Sequence, residues 1–209
     1  MKTYIYIHIA TVNNWESILF DLLWKIKDSN LYDEIDEIRC GILGNKGNSK
    51  LFNLPKIKII GESDDLSLYE SFTINLLHDD ALNAEEEFNV LYIHTKGSKH
   101  DGNNINVLDW VKYLCYFNIY KYKTCFKYLH SHDSVGVNLQ ESRGSLHYSG
   151  NFWWSKSSYI KKLEKCKREK YNDPEFWLTE KRIGNYVNLW LSHVTDHYTE
   201  RYTYDKYIK

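Results

Sequence analysis

Short apolar segments alternating with helical segments are the feature that most restricts how this chain can fold. TYIYIHIA (3–10) is β-rich and almost continuously apolar, as a strand buried on both faces should be. Four later segments also predict strands: EIRCGILG (37–44), KIKIIGES (56–63), FNVLYIH (88–94) and SVGVNL (134–139). The alternation predicts an α/β fold with a mainly parallel sheet and helices on both of its faces.

Helix signals fill most intervals between these segments. Apolar residues at helical spacing predict a helix over about 15–26. Ser67 and Glu70 have the spacing of a capping box, which predicts a helix that runs to about residue 82. A long amphipathic helix is predicted over about 106–130.

The last third of the chain departs from simple alternation. HYSGNFWWS (147–155) predicts a strand with an exposed front end, where Gly150 and Asn151 precede three large aromatic residues. YIKKLEKCKREKYN (159–172) predicts a charged helix whose lysines face solvent. A further helix is expected to begin with Asp173 as its cap and proline at its first position. The polar, aromatic tail after it predicts either a surface segment or one that folds back over a crevice.

The composition fits one globular domain and excludes several classes of protein. An apolar content of 43% in 209 residues excludes disorder and is enough for one well-buried core. The 27 basic and 28 acidic residues leave a net charge of −1, too little to attract nucleic acid or an anionic membrane. No apolar run approaches the ~18 residues of a membrane span. Basic and aromatic residues interleave in YKYKTCFKYLH (120–130), which favours an amphipathic helix with solvated lysines over an RNA-binding segment.

The cysteines indicate the compartment. Cys40, Cys115, Cys125 and Cys166 lie far apart and have no C-x-x-C spacing. This disfavours a zinc site or a disulfide framework and is typical of a reducing environment. The apolar run at the start is too short for a signal peptide and predicts a first strand instead. We therefore expect a cytoplasmic protein.

Polar residues follow the predicted strands, where an open α/β sheet forms its ligand crevice. In YIHTKGS, His94 to Gly97 could place a metal ligand, a hydroxyl and an ammonium beside a diphosphate. A tight turn with a surface lysine is the alternative. The common doubly wound enzymes are excluded, because G-x-G-x-x-G, P-loop, G-x-S-x-G and H-E-x-x-H motifs do not occur.

Two later motifs suggest a sugar and a base. Asn151 offers a hydrogen-bonding amide, and Trp153 or Trp154 a flat apolar face for a pyranose, although alternation along a strand puts one of the two in the core. Glu175 lies in a first helical turn, and Glu180 follows at a direction about 140° away, so only one points into a given crevice. Such a carboxylate can act as a general base; an exposed helix carboxylate is the alternative.

These stretches, with the WVKYL helix (110–114), VGVNL and EFWLTE, resemble a known family. They are similar to small glycosyltransferase-like domains of large DNA viruses and bacterial polysaccharide loci, such as the chlorella-virus glycosyltransferase N-terminal domain and rhamnan-synthesis-type proteins. The resemblance covers about 3–200, and HYSGNFWW is its most specific part. It implies a GT-A-like (Rossmann-like) fold, a nucleotide-sugar donor and usually a divalent cation, Mn²⁺ or Mg²⁺. It implies one domain over 1–209, with a nucleotide-binding half over about 1–100 and an acceptor and sugar half over about 101–209; a viral member would act in the host cytoplasm.

The resemblance also assigns residues to the donor nucleotide. The strand ending at His94 occupies the slot where GT-A-type enzymes usually place Asp-x-Asp, yet this chain contains no Asp-x-Asp. His94 could ligate a metal, with His197 in the tail as a second ligand, or Lys96 could neutralise the diphosphate directly. The nucleotide-binding residues are expected to be His8, Ala10, Thr11, Glu62, Tyr69, His94, Thr95, Lys96 and Gly97.

The same resemblance implies a sugar and acceptor pocket around the Gly150–Asn151 turn. Glu175 or Glu180 matches the base of inverting members, and Lys96 would be the third catalytic residue. The sugar- and acceptor-binding residues are expected to be Asn138, His147, Gly150, Asn151, Trp153 and Trp154.

The expected function is transfer of a hexose from a nucleoside-diphosphate sugar, UDP-linked, to a glycan hydroxyl in polysaccharide biosynthesis. A non-catalytic nucleotide- or carbohydrate-binding domain of the same fold is the alternative, and the missing Asp-x-Asp favours it.

Overall fold

The computed structural model describes residues 1–100, 104–142 and 144–208. Within these residues, nine strands form a seven-stranded sheet and a separate two-stranded hairpin. The strands are β1 (Lys2–Ala10), β2 (Glu37–Leu43), β3 (Ile57–Ser63), β4 (Phe88–His94), β5 (Ser134–Gly136), β6 (Leu139–Ser142), β7 (Ser145–Tyr148), β8 (Trp153–Lys156) and β9 (Tyr186–Asn188).

The large sheet has the order β3-β2-β1-β4-β8-β5-β9, and β6 pairs with β7 in the hairpin. Among the described strands of the large sheet, β8 runs antiparallel to its neighbours β4 and β5, and the other pairs are parallel. The predicted α/β class with a mainly parallel sheet is therefore confirmed.

Helices cover both faces of this sheet, as predicted. Of the helices described, none combines the length and apolar character that crossing a membrane requires. The helices are α1 (Trp15–Asp28), α2 (Leu31–Glu34), α3 (Ser71–Asn83), α4 (Ile105–Cys115), α5 (Tyr122–Leu129), α6 (Ser157–Ile160) and α7 (Asp173–Phe176), and a π-helical segment (Tyr116–Tyr120) joins α4 to α5.

Alternation along the central strands creates two hydrophobic cores. Ile5, Ile7 and Ile9 of β1 face the core beneath α1, α4 and α5, whereas Tyr4 and Tyr6 face the core beneath α3 and α6. Successive side chains of a strand point to opposite faces, so a central strand must be apolar at every position. This explains the continuous apolar character of TYIYIHIA.

The two tryptophans of GNFWW divide between these cores, so the expectation that one of them faces a sugar is wrong. Trp153 is 1% exposed and stacks on Tyr92 with ring centroids 5.0 Å apart. Trp154 is fully buried on the other face, and its Nε1 donates to the Asn118 carbonyl at 2.8 Å. As β8 has neighbours on both sides and a core on each face, both indoles are enclosed.

The sequence predicts one strand over 147–155, and this is wrong. The structure has two strands there, β7 and β8, separated by a turn. Gly150 and Asn151 form this turn with φ values of +97° and +54°, and the Asn151 N–H donates to the Tyr148 carbonyl at 2.9 Å. Left-handed backbone favours glycine and asparagine, which is why this pair precedes the aromatic residues.

The prediction of a charged helix over 159–172 is wrong. Helix α6 ends at Ile160, and the following segment is fixed to α3 by tertiary hydrogen bonds. Asn75 binds the backbone of Cys166 through both amide atoms, and the His78 imidazole lies 2.9 Å from the Leu163 carbonyl. These partners replace the hydrogen bonds that a continuing helix would make.

The two predicted helix starts are also corrected. Glu70 precedes α3 without a capping hydrogen bond, and Asp65 instead caps the short turn that contains Ser67. Helix α7 follows Asn172 rather than an Asp173 cap, because the Asp173 carboxylate accepts from the Lys170 N–H at 2.7 Å. Glu70 is thereby left free for other contacts.

The tail folds back onto the domain instead of extending over the surface. Trp190, Val194, Tyr202 and Tyr207 pack into the core beneath α4. Arg201 makes an ion pair with the buried Asp109 carboxylate at 2.7 Å. The segment before Arg201 is thereby held beside the carboxyl edge of the sheet.

Candidate functional site

A cavity of about 630 Å³ opens at the carboxyl edge of β1 and β4. We call it the edge cavity. Its walls come from both halves of the chain: the end of β1, the segment 66–70 before α3, the turn after β4, the β6–β7 hairpin, residues 171–175 and tail residues 195–198. A parallel sheet is expected to bind ligands at this edge.

The turn after β4 places a lysine inside the cavity. Gly97 has a φ of +93°, and the Lys96 N–H donates to the His94 carbonyl at 2.7 Å, which closes the turn. The Lys96 Nζ lies 3.7 Å from the centre of the Trp110 ring. Burial lowers the pKa of Lys96, while Glu175 and Glu70 oppose that shift. The cavity therefore contains an ammonium held against an aromatic face.

Three histidines line the same cavity, His8 and His197 buried and His94 mostly buried, and all three are neutral near pH 7. Burial lowers the pKa of His8 to about 4. Burial and the charge of Lys96 lower the pKa of His94 to about 3 and that of His197 to about 4. Because none of the three is protonated, the positive charge of this part of the wall belongs to lysine.

Glu70 is a site residue that the sequence analysis missed. Its Oε2 accepts from Asn151 Nδ2 at 2.7 Å and from the Tyr92 hydroxyl at 3.1 Å. Its Oε1 lies 3.6 Å from His94 Nδ1. The capping-box spacing assigned Glu70 to a helix terminus. Its place between the third strand and the next helix could have indicated a site residue instead.

Of the two candidate bases, Glu175 lies in the cavity wall and Glu180 does not. Glu175 Oε1 accepts from the Gly150 N–H at 2.8 Å, so this carboxylate also holds the Gly150–Asn151 turn. Glu180 is exposed outside the cavity. The helix predicted to carry both residues is not formed, because α7 ends at Phe176 and Glu180 lies beyond it.

The ligand set for a divalent cation is incomplete. Within 1–100, 104–142 and 144–208, no three His, Cys, Asp or Glu side chains come together as metal ligands. His197 Nε2 faces Asn138 Nδ2 at 3.1 Å and the Ser192 hydroxyl at 2.9 Å. The Asn138 amide must donate, since its Oδ1 accepts from the Ser192 N–H, so the Nε2 lone pair is already engaged. His197 is therefore not available as a metal ligand, and His94 does not belong to a set of three such ligands among the described residues.

The family of the chain is now identifiable. A family model described as a domain of unknown function, DUF8361, matches residues 41–197, which is most of the sequence. The chain belongs to the DUF8361 family. The matched region of this DUF8361 member contains β4, the hairpin, the Gly150–Asn151 turn and α7, and it ends at His197 in the cavity wall. No curated protein matches the sequence.

Several solved structures are similar to this DUF8361 domain in part. HddC from Yersinia pseudotuberculosis has 13% identity and a TM-score of 0.49, with 91% of each chain covered. The 4-diphosphocytidyl-2C-methyl-D-erythritol synthase from Anaerococcus prevotii has 13% identity and a TM-score of 0.46, covering 90% of this chain and 87% of that one. S. aureus TarS 1–349 has 12% identity and a TM-score of 0.44, covering 90% of this chain and 60% of that one.

The structure brings together many of the residues predicted for the site of this DUF8361 member. Tail residue His197 joins them from the far end of the chain. The predicted residues that line the edge cavity are His8, Ala10, Tyr69, His94, Thr95, Lys96, Gly97, His147, Asn151, Glu175 and His197.

Seven predicted residues lie outside the cavity lining. The Thr11 hydroxyl donates to the Leu43 carbonyl, and Glu62 forms an ion pair with Lys46. Asn138 is 1% exposed behind His197, and Gly150 contributes its backbone from behind the wall. The remaining three are Trp153, Trp154 and Glu180.

Lining residues other than Glu70 were also missed. Lys99 Nζ lies 4.6 Å from the Tyr69 ring and 4.7 Å from the Tyr171 ring, so these three side chains form one rim of the cavity. Trp110 was read only as part of an amphipathic helix. The sequence carried no signal for Tyr171, since it lies in the segment mistaken for a helix.

Proposed function

We propose that this protein is a glycosyltransferase that transfers a hexose from a nucleoside-diphosphate sugar, UDP-linked, to a glycan hydroxyl. The observation that carries the proposal is the Lys96 ammonium at the carboxyl edge of the sheet, inside a cavity walled by both halves of the chain. The strand order, with one antiparallel strand beside β4, and the resemblance of HYSGNFWW to glycosyltransferase-like domains support the same proposal.

Lys96 would stabilise the departing diphosphate. In the transfer, the bond from the anomeric carbon to the diphosphate oxygen breaks, and its electron pair stays on that oxygen. An ammonium in a low-dielectric cavity stabilises this developing charge far more than it would in water. We assign the neutralising charge to Lys96 because its ammonium lies in the cavity wall, against the Trp110 ring.

Glu175 would remove the acceptor proton if the reaction inverts configuration. Its Oε1 is held by the Gly150 N–H, and its Oε2 accepts no hydrogen bond from the described residues. The acceptor oxygen would form the new bond to the anomeric carbon as its proton passes to Oε2. A retaining reaction would not require this base, and Glu175 would then serve only to hold the Gly150–Asn151 turn.

A second candidate is a non-catalytic domain that binds a nucleotide or a carbohydrate in the same cavity. The engagement of the Glu175 carboxylate by the Gly150 N–H favours it, as does the exposure of Glu180 outside the cavity. A binder would retain affinity for the nucleotide sugar but would never release the nucleoside diphosphate.

Two measurements test the proposal. A panel of nucleotide sugars and free UDP should raise the melting temperature, because a ligand that binds only the native state stabilises it. Slow release of UDP from the bound nucleotide sugar should then distinguish an enzyme from a binder. If no nucleotide sugar shifts the melting temperature at millimolar concentration, both candidates that use a nucleotide are wrong.

A further inference from the structure

The hydrogen-bond pattern around His94 leaves one of its nitrogens without a donor. Nε2 lies 3.1 Å from the Gly150 carbonyl oxygen, which can only accept, so Nε2 carries the hydrogen. In a neutral imidazole the other nitrogen, Nδ1, is then an acceptor. This nitrogen points towards Glu70, with 3.6 Å between Nδ1 and Oε1.

Glu70 also has an acceptor atom that lacks a hydrogen-bond donor. Its Oε2 already receives hydrogens from Asn151 and Tyr92, but Oε1 receives none from the described residues. Two acceptors therefore face each other without a proton between them. Protonation of His94 would fill the gap, yet burial and the nearby charge of Lys96 oppose it. Acceptors without a donor are unfavourable in a partly buried site, so this arrangement calls for a ligand that supplies a hydrogen.

The surroundings select the kind of ligand. Both residues line the edge cavity, with side chains that are 23% exposed for Glu70 and 12% for His94. The cationic groups Lys96 and Lys99 line the same cavity and disfavour a metal ion, and the Glu70 carboxylate of the pair itself disfavours an anionic group at this position. A neutral O–H group can share its one hydrogen between the two acceptors in a three-centre hydrogen bond, and it adds no charge. Saccharide hydroxyls are the O–H groups that a nucleotide-sugar site receives.

We propose that Glu70 Oε1 and His94 Nδ1 form an acceptor pair that binds a sugar hydroxyl, either of the donor ribose or of the transferred hexose. The assignment rests on the proposed function. It gives Glu70 a direct role in substrate binding and gives His94 a role other than that of a metal ligand.

Substitution of Glu70 by glutamine tests the pair. A glutamine amide would donate to His94 Nδ1 while its oxygen still accepts from Asn151 and Tyr92, so the pair would be satisfied internally. We expect Glu70→Gln to keep or raise the melting temperature of the free protein. Its affinity for the nucleotide sugar should fall about 10- to 100-fold, the usual effect of losing a hydrogen bond to a charged group. Glu34→Gln, at the exposed end of α2, is the matched control and should bind as the wild type does.

The ligand panel separates the two possible hydroxyls. A loss of affinity for both UDP and the nucleotide sugar assigns the ribose, and a loss for the nucleotide sugar alone assigns the hexose. Wild-type affinity in Glu70→Gln would overturn the inference and leave the proposed function intact. If the wild type itself binds no nucleotide sugar, the proposed function fails and this inference fails with it.

Titration with Mn²⁺ alone tests whether a divalent cation, and not a sugar hydroxyl, binds between Glu70 and His94. A loss of affinity in Glu70→Gln that occurs only with Mn²⁺ present, together with Mn²⁺ binding by the wild type in the absence of nucleotide, would show a cation site and overturn the hydroxyl. The same loss in EDTA supports the hydroxyl.

Discussion

Lys96 is a partly buried lysine, and burial disfavours the charged form of its side chain. Its pKa is lowered by burial, so folding pays part of the cost of keeping an ammonium inside the cavity. The Trp110 face and the carboxylates Glu70 and Glu175 offset some of that cost. A bound diphosphate would offset the rest, which couples affinity for an anionic ligand to this one side chain.

Replacing Lys96 with methionine should therefore weaken ligand binding without unfolding the protein. We expect the affinity for UDP to fall at least about 30-fold, or about 2 kcal/mol, and the melting temperature of the free protein to stay the same or rise. Lys123→Met, on the exposed side of α5, is the control and should leave both quantities unchanged. Calorimetric titration in EDTA makes the measurement. Wild-type binding that disappears in EDTA would instead assign the neutralising charge to a divalent cation.

At the residue scale, the sequence predicted the cavity residues that follow strands better than those that depend on tertiary contacts. His94 and Lys96 were found because an open α/β sheet forms its ligand crevice just after its strands, although a tight turn with a surface lysine was the alternative. Glu70 was missed because a local capping pattern explained it equally well. Trp153 and Trp154 were misassigned because the sequence does not show that β8 lies between two other strands.

At the level of single elements, the turn between β7 and β8 determines the shape of one cavity wall. Its Gly150 carbonyl accepts from His94, its Gly150 N–H donates to Glu175, and its Asn151 amide reaches Glu70. The turn also packs tightly, because a Cβ on Gly150 would lie 2.7 Å from Leu114 Cδ1. A side chain at this position would displace the wall as well as strain the backbone.

Gly150→Ala and Gly144→Ala form a matched pair that separates these two effects. Both glycines have a positive φ, +97° and +78°, so each alanine incurs backbone strain of about 1–2 kcal/mol. A Cβ at Gly144 meets nothing within 4 Å, whereas one at Gly150 would clash with Leu114. We expect Gly150→Ala to lose a further 1–3 kcal/mol or so of unfolding free energy and to weaken ligand binding. Urea denaturation checks this, and equal losses in the two variants would contradict it.

Element prediction succeeded for strands and failed where side chains bind distant backbone. The central strands β1 and β4 were recognisable because both faces of each are buried, which leaves a continuous apolar signature. The segment after α6 has a helical composition, but Asn75 and His78 of α3 hold its backbone in another conformation. No local pattern reveals partners about 90 residues away.

At the scale of the whole molecule, residues from both halves of the chain line the edge cavity. The first half supplies the ends of β1 and β4, and the second supplies the hairpin, the Gly150–Asn151 turn and the tail. The tail is held by Arg201 on Asp109 and by its own aromatic residues in the core. The location of the cavity could be predicted from the polar residues that follow the predicted strands. The closing of one wall by the tail could not, because the polar, aromatic sequence of the tail has no period.

The buried histidines around this cavity should make the stability of the whole molecule depend on pH. His8, His94 and His197 have native pKa values lowered to about 4, 3 and 4, whereas an unfolded histidine has a pKa near 6.5. Between these limits the unfolded chain binds more protons than the native state. The unfolding free energy should therefore fall as the pH falls below 6.5, by about 1–2 kcal/mol per histidine between pH 7 and pH 5.

Urea denaturation at pH 7, 6 and 5 measures this dependence, and the range lies above the pH at which carboxylates titrate. His8→Asn should reduce the loss by about one histidine's share, or 1–2 kcal/mol, because an amide in its place has no proton to gain. A saturating ligand that contacts Lys96 should stabilise the native state at every pH without abolishing the slope, since the three imidazoles remain buried beside it. An unfolding free energy that is constant from pH 7 to pH 5 would mean that these histidines are solvated in the native protein, and the tight cavity wall described here would be wrong.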